Sequence, residues 1–304
     1  MGTAAPTTEF TGRAGAVLAR LQRSFPALID LSLDRIERLL GALDHPERRL
    51  PPVIHVAGTN GKGSTCAHVR AIAEAAGWRV HATTSPHLVD VRERFRLAGR
   101  LVDEAVLLDA LDRIERINAG RPITVFEVLT ACALLLFGEV PAELAVIEVG
   151  LGGRFDATNV IPAPAACAIA AISMDHESFL GDTLGKIAAE KAGIIKRGRP
   201  VVTGRQAPEV LAVIEEEAAA RRAPLFLRDR DWQVERMPGG DGLRFSDAAG
   251  TLLLPEPGLV GPHQIDNAGL AIAALRFSGL ALPHAAYAGI AGTRWPARLQ
   301  RLSG

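Results

Sequence analysis

The chain has 304 residues, of which 48% are hydrophobic and 22% charged, with 34 Lys+Arg balancing 34 Asp+Glu. That length allows one large domain or two ordinary ones around a sizeable core, and the composition excludes a disordered chain. The balanced charge leaves no basic field suited to nucleic acid or an anionic membrane, and no run approaches the ~20 uninterrupted apolar residues of a spanning helix.

Residues 1–12 are small and polar, without a basic-then-apolar signal pattern. Ala14 to Arg23 reads as a short helix. A second helix carries Ile36, Leu39, Leu40 and Leu43 on one face, with Ser32 or Asp34 as its N-cap and His45-Pro46 closing it. Pro51-Pro52 leads into an apolar strand, Val53 to Ala57, then a glycine-rich turn and an alanine-rich helical pattern from Ala67 to Ala76. Gly77 ends that helix, and Trp78 to Ala82 reads as the second strand. A polar loop, Thr83 to Leu88, follows, then a hairpin from Arg94 to Val102 turning at Ala98-Gly99. Asp103 to Gly120 is an amphipathic helix, and the next, opened at Ile123 to Glu127, is nearly all apolar through Phe137 and hence buried.

Two continuous apolar runs, Leu144 to Val149 and Ala166 to Ser173, suit central parallel strands covered on both faces. A helix from Thr183 to Gly193, a strand at Val201-Val202 and a helix from Ala207 to Arg221 continue the alternation. Arg228 to Leu254 changes texture to short alternating pieces, read as antiparallel strands, before helices at His263 to Leu280 and Pro283 to Ala291. The pattern predicts an α/β fold with a doubly wound, mostly parallel sheet, a small antiparallel portion near 228–254, and ligands at the C-terminal ends of the strands. Cys66, Cys132 and Cys167 stand singly in apolar contexts and read as buried small hydrophobes.

The chemistry concentrates at Val53-Ile54-His55-Val56-Ala57-Gly58-Thr59-Asn60-Gly61-Lys62-Gly63-Ser64-Thr65, a strand, a glycine-rich loop and a helix start. Backbone N–H groups turned inward, the helix dipole and the Lys62 charge make a phosphate site, and Ser64 or Thr65 offers a hydroxyl to Mg²⁺. It is not a strict Walker A motif, since Val56 stands where the first glycine belongs. Glu148 ends a buried strand, where a cation held near the phosphate loop would offset its desolvation, and Asp175-His176 ends the next. Taken singly, a strand-end acid or histidine is as readily just solvated.

The Gly150 to Asn159 stretch is too glycine-rich for core and too polar for a plain turn; its bland reading is a flexible surface loop. From pattern alone Lys191 is a surface lysine paired with Glu190. Gln264 and Asn267 share a helix face and would read a base or ribose, or cap the helix. Arg298, after Trp295-Pro296, is a phosphate contact or an ordinary exposed arginine.

Together these segments resemble the folylpolyglutamate synthase / dihydrofolate synthase family, within the Mur-type ATP-dependent amide ligases. The resemblance is carried by His55 to Thr65, Thr84 to Leu88, Thr124 with Phe126-Glu127, Glu148 to Asn159, Asp175-His176 with Leu180-Gly181, Glu190 to Ile194, His263-Gln264 with Asn267-Ala268, and Trp295-Pro296 with Arg298. It runs in family order from about residue 29 to 300. It implies a P-loop domain of the Mur ligase central-domain type over residues 1–295, with 296–304 leading toward a second domain. The Asp-Gly-Ala-His-Asn segment normally brought by that domain does not occur in the sequence, so impaired turnover by these 304 residues alone is an expectation. Pro262 before His263 and Ala297 before Arg298 depart from the family's arginine and glycine.

The resemblance also assigns roles. Thr59, Asn60, Gly61, Lys62, Gly63, Ser64 and Thr65 would hold the ATP phosphates, with Asn267 and Arg298 as further ATP contacts. Ser64, Ser85 and Glu148 would bind Mg²⁺, and His176 would help hold a second ion. Lys191 matches a lysine that family members carry as a carbamate; with Lys62 and His176 it forms the implied catalytic set. Asp30, Leu31, Ser32, Thr124, Phe126, Phe155, Asp156 and Ala157 match positions around the pterin substrate. The implied partners are small molecules, dihydropteroate or reduced folates and L-glutamate, and the expectation is a cytoplasmic monomer in folate biosynthesis. Two alternatives stay open: a Mur-type ligase acting on a nucleotide-sugar peptide, and a nucleotide-binding module without ligase activity.

Overall fold

Alternating strands and helices build the computed structural model, which describes residues 12–24 and 32–296. Helices α1 (Gly12–Ser24) and α2 (Asp34–Ala42) precede strand β1 (Val53–Ala57), helix α3 (Lys62–Ala75) and strand β2 (Val80–Thr83). A hairpin of β3 (Phe95–Leu97) and β4 (Arg100–Leu101) leads to α4 (Glu104–Asn118), α5 (Val125–Glu139), β5 (Leu144–Glu148) and β6 (Ala166–Ile169). Then come α6 (Glu177–Leu180), α7 (Leu184–Ala192), β7 (Val201–Thr203), α8 (Pro208–Ala220) and β8 (Leu225–Leu227). Strands β9 (Trp232–Arg236), β10 (Leu243–Asp247) and β11 (Gly250–Leu254) precede α9 (His263–Phe277) and a 3-10 stretch, His284–Gly292.

The large sheet has eight strands in the order β4-β3-β2-β5-β1-β6-β7-β8, parallel except for the β2-β3-β4 edge. Strands β9, β10 and β11 form a separate antiparallel sheet, as the texture of 228–254 predicts. Val56 pairs with both Glu148 and Ala168, and Thr83 with Ile147. The loops after β1, β2, β5 and β6 therefore leave from one edge.

Side chains alternate across the sheet. Ile54, Val56, Val146 and Ala168 join α3, α9 and the small sheet in one core. Ala145 and Ile147 pack against α2, α4 and α5 on the other face, and Ala57, Cys167 and Ile169 against α7 and α8. Arg276 on α9 clamps Asp247 on β10 through a buried pair at 2.5 and 2.6 Å. All three cysteines are free and buried. Among the described residues, no helix is long and apolar enough to cross a membrane.

Two local expectations need correction, and one strand is not anticipated by the sequence. Helix α3 starts at Lys62, not Ala67, because Gly61 sits at φ +88°, a left-handed turn that swings the chain straight into the helix. The helix expected over Pro283–Ala291 is instead the 3-10 stretch His284–Gly292, with Pro283 ahead of it and Gly289 and Gly292 within it. Strand β8 has no counterpart in the sequence pattern: three residues are too few to show a period.

Candidate functional site

The glycine-rich loop is braced from the exit of the neighbouring strand β6. The N–H groups of Thr59 and Asn60 both donate to the Ala171 carbonyl, at 2.9 and 3.1 Å. Thr59 Oγ1 donates to the Ser173 carbonyl at 3.0 Å and accepts from the Ser173 N–H at 3.2 Å, while Asn60 Nδ2 donates to Ser173 Oγ at 3.1 Å. Anchored this way, the loop delivers Lys62, Gly63 and Ser64 to the first turn of α3, where N–H groups lack carbonyl partners within the helix.

Helix α9 reaches the same loop. Gln264 Nε2 donates to Ser64 Oγ at 3.3 Å, and Asn267 Nδ2 donates to Gln264 Oε1 at 3.0 Å. A Cβ at Gly61 would stand 2.3 Å from Asn267 Oδ1, so the amide lies directly against the loop. Neither side chain caps α9, whose N-cap is Pro262, which removes the capping alternative.

Two lysines converge on one carbonyl. Lys62 Nζ donates to the Gly58 and Thr59 carbonyls at 3.0 and 3.2 Å, and Lys191 Nζ donates to Gly58 O at 3.0 Å. Lys191 is buried at 4% exposure, which overturns the surface-lysine reading. Burial, with the positive charge of Lys62, lowers its pKa to about 8. Burial raises the pKa of the neighbouring Glu190 carboxyl, whose buried Oε2 has no hydrogen-bond partner among the described residues.

Beside the loop lies a cavity of about 200 Å³, walled by Gly63, Ser85, Glu93, Arg96, Glu148 and Trp295, among others. Glu148 Oε2 accepts the Ser85 N–H at 3.1 Å, joining the ends of β2 and β5. Thr65 Oγ1, one helical turn into α3, is buried and has no hydrogen-bond partner among the described residues. Ser85 and Glu148 line the cavity and Ser64 and Thr65 do not; the four are hard oxygen donors, the kind that suits Mg²⁺ completed by phosphate oxygens and water. Among the described residues, no group of three or more His, Cys, Asp or Glu side chains gathers to hold a metal unaided. His176 does not line this cavity; it sits at φ +50° ahead of α6, exposed, with its ring 3.5 Å from the Asp175 carboxylate.

The 150–159 loop is packed, not flexible. A Cβ at Gly153 would stand 2.4 Å from the Glu190 carbonyl, so only glycine allows α7 this close. The Arg154 N–H donates to that same carbonyl at 2.7 Å, and Asn159 Nδ2 donates to the Arg154 and Gly193 carbonyls at 2.9 and 3.1 Å. Asp156 organises the turn from inside. Its Oδ2 accepts the Gly150 and Leu151 N–H groups at 3.0 and 2.8 Å, and its Oδ1 accepts from Thr158 N–H and Oγ1 at 2.9 and 2.5 Å. Burial nevertheless raises its pKa. Phe155 projects outward at 44% exposure, and Ala157 is buried.

The remaining residues expected around a substrate sit at two helix starts. Thr124 forms a capping box with Glu127 on α5, and Arg35 of α2 donates from Nε to both Glu127 oxygens at 3.1 Å. Phe126 lies against Gly150. Ser32 Oγ accepts the Asp34 N–H at 3.2 Å, at the head of α2. Asp30, Leu31 and Arg298 lie outside the described residues.

Sequence reasoning missed one buried relay: His55 Nε2 lies 2.9 Å from Thr158 Oγ1. Because the Thr158 hydroxyl proton goes to Asp156, His55 Nε2 must carry the proton and donate. Burial and the nearby Lys196 charge hold its pKa down at about 3. A histidine within an apolar strand run is the signal that pointed to it.

No family model matches the chain. The dihydrofolate synthase/folylpolyglutamate synthase of Bacillus subtilis is 37% identical over 284 residues, covering 88% of this chain and 65% of that protein. The folylpolyglutamate synthase of Lacticaseibacillus casei is 36% identical over 296 residues, covering 92% of this chain and 69% of the relative. The solved structure of Escherichia coli FolC in complex with DHPP and ADP superposes with a TM-score of 0.88 at 36% identity, covering 96% of this chain and 69% of that one.

Proposed function

The chain belongs to the folylpolyglutamate synthase / dihydrofolate synthase family, and we propose that it binds ATP and a pterin acid for the ATP-dependent addition of L-glutamate. Since it spans 65% of the B. subtilis relative's length, the activity is inferred from the site itself. The observation that carries the reading is the shared cavity of Gly63, Ser85 and Glu148 at the head of a glycine-rich loop. The ADP and DHPP named for the E. coli structure support it.

In this reading Thr59 to Thr65 hold the phosphates, Lys62 turning from the loop carbonyls to the ligand, and Asn267 and Arg298 contact the nucleotide. Ser64, Ser85 and Glu148 would hold Mg²⁺, with His176 toward a second ion. When bound, the cation offsets the charge that accumulates as a carboxylate approaches a phosphate. Exposed Leu88, Val89, Phe155, Met174 and Phe179 all stand on segments leaving one edge of the sheet, an apolar rim suited to a flat ring. Ser32, Thr124, Phe126, the Phe155-Asp156-Ala157 turn, Asp30 and Leu31 would contact the pterin in this reading.

The carboxylate of the pterin acid attacks the γ-phosphorus of ATP, ADP leaves, and an acyl phosphate forms. The glutamate amine then attacks the acyl carbon, phosphate leaves with the bonding pair, and the nitrogen loses a proton to give the amide. Both steps rest on positioning and charge stabilisation, without a covalent enzyme intermediate. ADP release with Mg-ATP and dihydropteroate, with and without L-glutamate, tests the proposal. Glutamate-dependent release supports a ligase; ATP binding without it supports a nucleotide- and pterin-binding unit; no ATP binding overturns both.

A further inference from the structure

Gln206 follows β7, half-buried, and every hydrogen-bonding group of its amide is engaged. Oε1 accepts the Ile172 N–H at 3.1 Å, while Nε2 donates to the Ala170 carbonyl at 3.0 Å and to Thr203 Oγ1 at 2.9 Å. The orientation is dictated by the partners. A flipped amide would set N–H against N–H at Ile172 and oxygen against oxygen at Ala170. Thr203 Oγ1 spends its proton on the Ile169 carbonyl at 3.1 Å, so it accepts from Gln206.

The segment held in this way, 170–172, is the one that braces the glycine-rich loop. Ala171 O takes the Thr59 and Asn60 N–H groups, and the adjoining Ser173 exchanges two hydrogen bonds with Thr59 and one with Asn60. The same segment runs on to Asp175-His176. One side chain outside the loop therefore clamps the strand exit that sets where the loop's first two polar residues sit.

We propose that Gln206 is a positioning residue for nucleotide binding, acting through residues 170–173 on Thr59 and Asn60. The inference rests on reading 58–65 as a nucleotide loop. Without the amide, Ile172 N–H and Ala170 O turn to water, the segment gains freedom, and the loop must be ordered by the ligand at the ligand's expense.

The test is calorimetric titration of Mg-ATP into the 304-residue chain and its Gln206→Leu variant, with thermal unfolding and amide exchange measured alongside. The expected result is about a tenfold weaker affinity, the equivalent of about 1.4 kcal/mol. Dihydropteroate affinity should not change, and exchange at Thr59 and Asn60 should quicken. Where the Gln206→Leu substitution prevents folding, Gln206→Met keeps an unbranched side chain of similar length and is read in the same way. An affinity within about twofold of the unsubstituted chain, or equal losses for ATP and dihydropteroate, would overturn the assignment. Failure of the unsubstituted chain to bind Mg-ATP would instead overturn the nucleotide reading, and this assignment with it.

Discussion

Gly153→Ala probes the contact between the 150–159 loop and α7 directly. The added Cβ would stand 2.4 Å from the Glu190 carbonyl oxygen, 2.9 Å from Lys191 Cα and 3.0 Å from the Lys191 carbonyl oxygen. All three are backbone atoms, so no rotamer change relieves them, and loop and helix must part by roughly 1 Å to reach an ordinary contact. Overpacking of this kind costs about 1–3 kcal/mol. The Arg154 N–H bond to the same carbonyl, 2.7 Å long, stretches as well, adding about 1 kcal/mol. A total of about 2–4 kcal/mol lowers the thermal midpoint of a chain this size by on the order of 3–6 °C. Gly185→Ala is the control. It lies in the first turn of α7, where nothing among the described residues stands within 4 Å of an added Cβ, and should gain up to about 0.5 kcal/mol from helix propensity. Scanning calorimetry of both variants should give shifts of opposite sign. A Gly153→Ala midpoint within about 1 °C of the unsubstituted chain would refute the packing argument.

Lys191 has a folded pKa of about 8 against 10.5, so the unfolded chain binds more protons between those values. Its contribution to stability therefore rises with pH across about 8 to 10.5, and below pH 8 the buried ammonium opposes folding in full. A neutral amine is also what carbamate formation needs. With ¹³C-bicarbonate supplied as the CO₂ source, a carbamate ¹³C resonance that grows with pH and is lost in Lys191→Arg is expected, and its absence above pH 8 would remove that role. His55 and His68 are held neutral by burial, with pKa values of about 3 and 4. The unfolded chain protonates them below the ordinary histidine value of 6.5, so their contribution to stability is full above it and falls as pH drops through 6.5 toward those values. Urea midpoints between pH 7 and 4 should decline, and less steeply in His55→Gln; identical slopes would show that His55 does not govern the acid limb.

Period and punctuation made most of the fold readable. Continuous apolar runs at Leu144 to Val149 and Ala166 to Ser173 became the central strands β5 and β6, and the changed texture after Arg228 became the antiparallel sheet. Strand β8, three residues at the sheet edge, carried too little pattern to find. At the site, residue chemistry located the loop, Glu148 and the Gln264/Asn267 pair, because each set a polar group where apolar sequence was due. Pattern misreads Lys191 because one helical turn does not reveal which loop packs over it. The glycines of 150–159 looked like flexibility, yet a close approach of α7 explains Gly153, and that approach is long-range information. Gln206 also bonds Ile172 and Ala170, and His55 pairs with Thr158, each more than 30 residues away in the chain, links that spacing along the sequence does not encode.

The most direct test of the nucleotide loop is titration of Mg-ATP into the unsubstituted chain and into Lys62→Ala. The Lys62 ammonium is the one full charge that the loop itself contributes, and losing a charge-assisted bond to phosphate costs about 1.5–3 kcal/mol. Saturable binding to the unsubstituted chain, weakened by about tenfold or more in the variant, is the expected result. Equal affinity in the two would contradict the assignment of residues 58–65 to ATP.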